Sequence, residues 1–243
     1  LAQNDPIAYI GEASREVLEK GYHVNPKKLV PLTNGLYLDS NRFKFSETEQ
    51  QENLRRWNIP IDKKIIFSWG RCVYQKGYDI LIPACKSFLE KNKNYHLVLL
   101  MPTETSTESY LEKIRPMVRD LPKNSVTAIY TFDEALPYSI LHHQNLHILA
   151  FPSRFEGAPI TALEGLTFSN PHVQFIYSAI FPLQNIFGTE SRGICIKDFE
   201  VDSWNAGITY AAKNRKSSTK EAQIPDIVTN YTRGIDIILE KFR

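Results

Sequence analysis

The sequence has little of what marks a membrane, secreted or nucleic-acid-binding chain. No window approaches the roughly 18–20 consecutive apolar residues that a membrane-spanning helix requires. Leu1 to Asp5 show neither a basic start nor an apolar stretch of the signal-peptide kind. They read as the middle of a folded protein, so the chain is expected to be a piece or processed product of a longer one. Charge of one sign is not in excess: 29 Lys and Arg stand against 27 Asp and Glu, leaving +2 over 243 residues. Binding a phosphate backbone needs a clustered basic surface, so nucleic acid is not expected as a partner. A nucleotide needs only two or three well-placed cations. Cysteine is scarce too. Cys72, Cys85 and Cys195 are odd in number and widely spaced, with no C-x-x-C, which fits reduced thiols in a cytoplasmic protein. The six histidines show no metal-ligand spacing apart from the adjacent His142-His143, which suits a surface role at a helix end. Neither G-x-x-x-x-G-K-[ST] nor G-x-G-x-x-G occurs, which excludes a Walker-type loop and a dehydrogenase fingerprint.

What is present is a regular alternation. Ile65–Gly70, His96–Pro102, Ser125–Phe132, Leu146–Ser153, Val173–Ile180 and Gly193–Asp198 are short, β-branched or aromatic runs bounded by turn residues, and they read as strands. Runs so continuously apolar suit strands covered on both faces. Tyr78–Lys91, Glu108–Leu121, Glu134–His143, Pro159–Phe168 and Val201–Asn214 read as the helices between them. The fold class that follows is α/β, doubly wound, with a mainly parallel Rossmann-like sheet. Ligands in such sheets sit beyond the carboxyl ends of the strands, so chemistry is sought in the loops after them. Outside this core, Ser14–Lys20 and Phe45–Trp57 look helical, Thr33-Asn34-Gly35 signals a turn, Lys213–Gln223 reads as a charged linker and Asp226–Phe242 as a final amphipathic helix.

Two strand-following loops carry chemistry. After the first strand comes Gly70-Arg71-Cys72-Val73-Tyr74-Gln75-Lys76-Gly77. Gly70 permits a tight turn and close backbone approach to a ligand. Arg71 offers a planar fork, Lys76 a compact charge, and the helix that follows its N-terminal N–H groups, a set suited to a diphosphate. After the fourth strand, Glu156 lies before a helix and Glu164 about one and a half turns into it, so two carboxylates can serve one ligand at different points. The N–H groups of Ala158, Ile160 and Thr161 would form an anion-friendly helix entrance. Taken singly, the first loop also reads as solvated surface charge, and the second as a capping Glu156 with a surface Glu164.

Together, in order, the motifs narrow the reading. G-R-x-x-x-x-K-G followed some eighty residues later by P-S-x-x-E-G-x-P-x-x-x-L-E-G resembles the C-terminal domain of GT-B glycosyltransferases of family 4. Lys76-Gly77-Tyr78-Asp79-Ile80-Leu81-Ile82-Pro83-Ala84 is similar to that family's K-G-x-D-x-L-I-x-A. Ser14–Leu18 followed by Val30–Leu36 looks like its entry into the domain. The likeness implies a retaining transfer from a nucleoside-diphosphate sugar with no required metal or other cofactor. It implies Arg71 and Lys76 on the diphosphate, Glu156 on sugar hydroxyls near the reacting carbon, and Glu164 on the ribose. Gly70 and the backbone of Gly157, Ala158, Ile160 and Thr161 would complete the donor site, with the base near Tyr130–Leu136. Glu156, Arg71 and Lys76 are the expected catalytic set.

The resemblance divides the chain into 1–40, the end of an acceptor-side region and linker; 41–225, the nucleotide-sugar-binding domain; and 226–243, a C-terminal helix. Its N-terminal acceptor domain is absent, so the chain alone is expected to be inactive. That domain is the expected partner, in the same protein or as a separate chain, and any peripheral membrane contact would belong to it. The alternatives are a non-catalytic nucleotide-sugar-binding or interaction subunit of a split transferase, and a sugar-nucleotide epimerase of the same architecture. Gly165–His172 departs from the family's A-M-A-x-G-x-P-V, and Asn185 stands where an acidic residue is common.

Overall fold

A computed structural model of the chain describes residues 5–32, 36, 44–104, 107–217 and 227–242. In chain order the elements are β1 (Ile7–Tyr9), α1 (Glu12–Glu16), β2 (Leu29–Pro31), α2 (Glu47–Arg56), β3 (Lys64–Trp69), α3 (Tyr78–Lys91), β4 (Tyr95–Leu100) and α4 (Glu108–Arg119). They continue with β5 (Val126–Ile129), α5 (Ala135–Leu141), β6 (Leu146–Phe151), α6 (Ile160–Phe168), β7 (Gln174–Ser178), α7 (Phe181–Phe187), β8 (Gly193–Ile196), α8 (Val201–Lys213) and α9 (Ile227–Phe242).

The main sheet is six-stranded and parallel, in the order β5-β4-β3-β6-β7-β8. Numbered from its first strand, that order is 3-2-1-4-5-6, the doubly wound arrangement. The inner strands β3, β4, β6 and β7 are buried almost throughout, while the edge strands β5 and β8 are largely half-buried. This is why the inner four read as continuous apolar runs. Alternate residues then divide the core. Ile66, Leu97 and Ile148 pack with Leu81, Phe88, Ile114 and Trp204 under α3, α4 and α8. Ile65, Phe67 and Leu149 pack with Leu54, Ile140, Ala162 and Phe187 under the helices on the opposite face.

Helix α2 starts on a reciprocal cap. Ser46 Oγ accepts from the Glu49 N–H at 3.3 Å, and Glu49 Oε2 accepts from the Ser46 N–H at 2.7 Å.

Before the main sheet, β1 and β2 form a separate parallel pair, and α1 between them runs on as a π-helical turn over Val17–Gly21. The helix expected over Ser14–Lys20 therefore begins two residues earlier. Helix α9 packs on β2 at the buried Gly234, where an added Cβ would overlap Leu32 and the Pro31 carbonyl. The expected turn at Thr33–Gly35 and residues 218–223 of the expected linker lie outside the described residues. The linker's start is pinned to the sheet: Gln174 Nε2 donates to the Lys216 carbonyl at 2.8 Å.

Candidate functional site

Strand order decides where the site sits. Strands β3 and β6 are neighbours on which the chain winds away in opposite directions, so the loops leaving their carboxyl ends face each other across the switch point. Those are the two loops with the expected chemistry.

Gly70 ends β3; its N–H donates to the Leu100 carbonyl at 3.0 Å and its own carbonyl accepts from the Tyr78 hydroxyl at 2.9 Å. Arg71 is exposed and lines a cleft. A 3₁₀ turn, Tyr74–Lys76, then leads into Gly77, which has φ of 69°. A Cβ there would collide with the Pro152 carbonyl oxygen, because the two loops touch at this point. Left-handed backbone plus backbone collision makes Gly77→Ala costly, by about 2 kcal/mol. For a chain of this size that is a fall in Tm of about 6 °C, and a Tm within 1–2 °C of wild type would refute the tight contact.

The loops exchange polar contacts. Lys76 Nζ lies 2.6 Å from Glu156 Oε1, with both side chains largely buried. Ser153 Oγ donates to the same oxygen at 2.7 Å, and Gln75 Nε2 to Glu156 Oε2 at 3.2 Å. Glu156 therefore sits in a ring of three donors, directly against the lysine expected on the diphosphate. The family likeness assigns the two residues to separate ligand groups; the structure sets them in direct contact.

Beside this pair opens a cleft of about 650 Å³, lined by Trp69, Gly70, Arg71, Thr161 and Glu164 towards the sheet and by Phe132, Pro137 and Tyr138 towards the loop after β5. Glu164 is held on two sides: the Tyr138 hydroxyl donates to Oε1 at 2.7 Å and Trp69 Nε1 to Oε2 at 3.4 Å. Burial raises its carboxyl above the ordinary range in spite of these donors. Phe132 stands largely exposed at the rim. Asp133 caps α5 through Oδ1, which accepts from the N–H groups of Ala135 and Leu136, while Oδ2 accepts from Trp57 Nε1.

The structure thus brings Gly70, Arg71, Thr161 and Glu164 to one cleft and sets Lys76 and Glu156 beside it. Gly157, Ala158 and Ile160 do not line the cleft. Gly157 packs against Ile10 and Gly11, and the Ile160 N–H already donates to the Ala158 carbonyl at 2.9 Å. The N-terminus of α3 is likewise engaged, since the Asp79 N–H donates to the Tyr110 hydroxyl at 3.4 Å. The sequence reading missed Tyr138, Ser153 and Gln75 as partners of the carboxylates. Ser153 lies only three residues before Glu156, within the same motif, whereas Gln75 and Tyr138 reach the carboxylates from distant segments, and nothing local signals those contacts.

Such a parallel sheet, with charged loops meeting at its switch point, defines a doubly wound, Rossmann-like domain. The family model described as "Glycosyl transferases group 1" matches residues 49–224, and the chain belongs to that family. It is 28% identical over 171 residues to mannosylfructose-phosphate synthase of Agrobacterium fabrum, covering 68% of this chain and 36% of that protein. It is 34% identical over 107 residues to a glycogen synthase of Thermodesulfovibrio yellowstonii, covering 44% and 20%. The chain thus matches about a third or less of the length of these relatives. Among solved structures, Anabaena Alr3699/HepE in complex with UDP and glucose superposes with a TM-score of 0.76 at 13% identity, over 97% of this chain and 63% of that one. A Rickettsia africae glycosyltransferase superposes at 0.72 and 13%, over 99% and 60%. These two likenesses speak for the fold. Among the described residues no helix is long and apolar enough to cross a membrane.

Proposed function

We propose that this chain is the donor-binding half of a retaining glycosyltransferase that takes its sugar from a nucleoside-diphosphate sugar. The observation that carries the reading is the meeting of Lys76 and Glu156 at 2.6 Å beside the cleft that Arg71 and Glu164 line. The base lies against Phe132, Pro137 and Tyr138, and the ribose hydroxyls donate to Glu164. A carboxylate fixed by Tyr138 and Trp69 is already oriented to accept them.

The diphosphate then reaches Arg71 and Lys76. Negative charge grows on the leaving group as the glycosidic bond breaks, and two cations already in place stabilise it without a metal. Lys76 turns part of its charge from Glu156 to phosphate, which leaves Glu156 oxygens for sugar hydroxyls. Retention and the metal-free route enter this reading through the family likeness. Acceptor binding falls to an N-terminal half, so this chain alone binds donor without transferring sugar.

Calorimetry with UDP, GDP and ADP tests the reading. One of the three is expected to bind, and Arg71→Ala is expected to weaken it about tenfold to a hundredfold, the worth of hydrogen bonds to a charged group. Absence of heat from all three at millimolar concentration, or an unchanged Kd in Arg71→Ala, would sink it.

A further inference from the structure

Arg154 does not line the cleft, yet it is bound to both loops that form the site. Its guanidinium makes a fork on Asp79, Nη1 to Oδ1 at 2.8 Å and Nη2 to Oδ2 at 3.0 Å. Nη1 also donates to the Tyr74 carbonyl at 2.8 Å, and the guanidinium carbon lies 3.9 Å from the centre of the Tyr74 ring. Its own N–H donates to the Gln75 carbonyl at 2.8 Å. One residue thus holds the Tyr74–Lys76 turn by backbone, by ring and through the first residues of α3. It sits two positions before Glu156.

The anchor is built for this. Asp79 is buried, and its oxygens also accept from the Tyr110 hydroxyl at 3.1 Å and Lys113 Nζ at 2.7 Å, both on α4. Burial opposes its ionisation, but the hydrogen bonds from Arg154 and Lys113 outweigh that and hold the carboxyl below its ordinary range. A charged Asp79 keeps the fork in a single geometry. Lysine could not reproduce it, because a point charge cannot span two carboxylate oxygens and a carbonyl at once.

We propose that Arg154 is a positioning residue: locked on Asp79 and the Tyr74 carbonyl, it fixes the Lys76 turn against the Glu156 loop and so sets affinity for the diphosphate part of the donor. The inference rests on the nucleotide-sugar reading above. Arg154 thus stands apart from Phe132, Tyr138 and Glu164 of the cleft, which meet the nucleoside. Loosening the clamp moves Lys76 relative to Arg71 and leaves the Trp69, Tyr138 and Glu164 wall as it is.

The test compares affinities for a nucleoside diphosphate, by calorimetry, and for the matching nucleoside, by ligand-observed NMR, using whichever of UDP, GDP or ADP the wild-type chain binds. Arg154→Gln is expected to weaken the diphosphate about tenfold and to leave the nucleoside within twofold. Arg154→Lys is expected to recover less than half of that loss on a logarithmic scale. Lys86→Met, which removes a half-exposed cation of α3 that pairs with Asp120 and not with Asp79, is expected to leave both affinities unchanged. Should Arg154→Gln fail to fold, Tyr74→Ala removes the ring under the guanidinium while sparing the fork, and is expected to weaken the diphosphate alone by about threefold. Equal losses for nucleoside and diphosphate, or no loss at all, would overturn the proposal while leaving the donor site standing. A wild-type chain that binds no nucleoside diphosphate would overturn both.

Discussion

Lys76→Met is expected to destabilise the fold by about 3 kcal/mol, because it removes one partner of a buried ion pair and leaves the other's charge stranded. Only 13% of the Lys76 side chain and 7% of that of Glu156 is exposed, so water cannot take over the lost contact. Ser153 and Gln75 still donate to the carboxylate, which keeps the cost at the lower end of what broken buried pairs show. Adding Glu156→Gln removes the stranded charge and is expected to return about half or more of the loss. Urea denaturation of the wild type, both single variants and the double variant gives the coupling directly. A Lys76→Met protein within 1 kcal/mol of wild type would show that the pair is solvated and exchangeable.

The same four proteins separate stability from binding. The double variant is expected to regain stability without regaining nucleoside diphosphate affinity, since Lys76, the cation proposed for the diphosphate, is still missing. Recovery of both would mean that Lys76 acts only by holding Glu156.

Acidification from pH 7 to pH 5 is expected to cost about 4 kcal/mol of stability, well before most carboxylates titrate. His96 on β4 and His147 on β6 are buried, and burial lowers each imidazole to about 4. Cationic neighbours add to this, Lys63 for His96, and Arg215, Lys64 and His172 for His147. In the unfolded chain the imidazole titrates near 6.5. Between that value and about 4 the unfolded state therefore binds protons that the folded state refuses, and stability falls as pH falls. At pH 5 each of the two costs about 2 kcal/mol. Burial lowers His143 and His172 as well, with the same sign. Glu164 works the other way, because a carboxyl raised by burial favours the folded state as it takes its proton. Unfolding midpoints across this range, for wild type and His96→Gln, measure the effect. The variant is expected to lose about half as much, and a midpoint flat from pH 7 to pH 5 would refute the account.

Much of this architecture is legible in the chain itself. The six strands of the main sheet fall where short apolar runs meet turn residues, and Tyr78–Lys91 is helical over the expected span. Pro83 does not break α3: the helix continues to Lys91 with Leu81, Cys85 and Phe88 buried, so core packing outweighs a local breaker. Elements too short for a period escaped, among them the three-residue strands β1 and β2 and the seven-residue α7, Phe181–Phe187.

The site divides along the same line. By itself the sequence determined the fold class, the two loops that carry charge and the residue types Arg71, Lys76, Glu156 and Glu164, because hydrophobic period and motif spacing are local properties of the chain. Only the tertiary structure decided that Lys76 meets Glu156, that Tyr138 and Trp69 hold Glu164, and that Arg154 grips Asp79. Those partners come together only where packed helices and adjacent strands bring distant segments of the chain side by side. The reversal of winding between β3 and β6 turns two separate charged loops into one site.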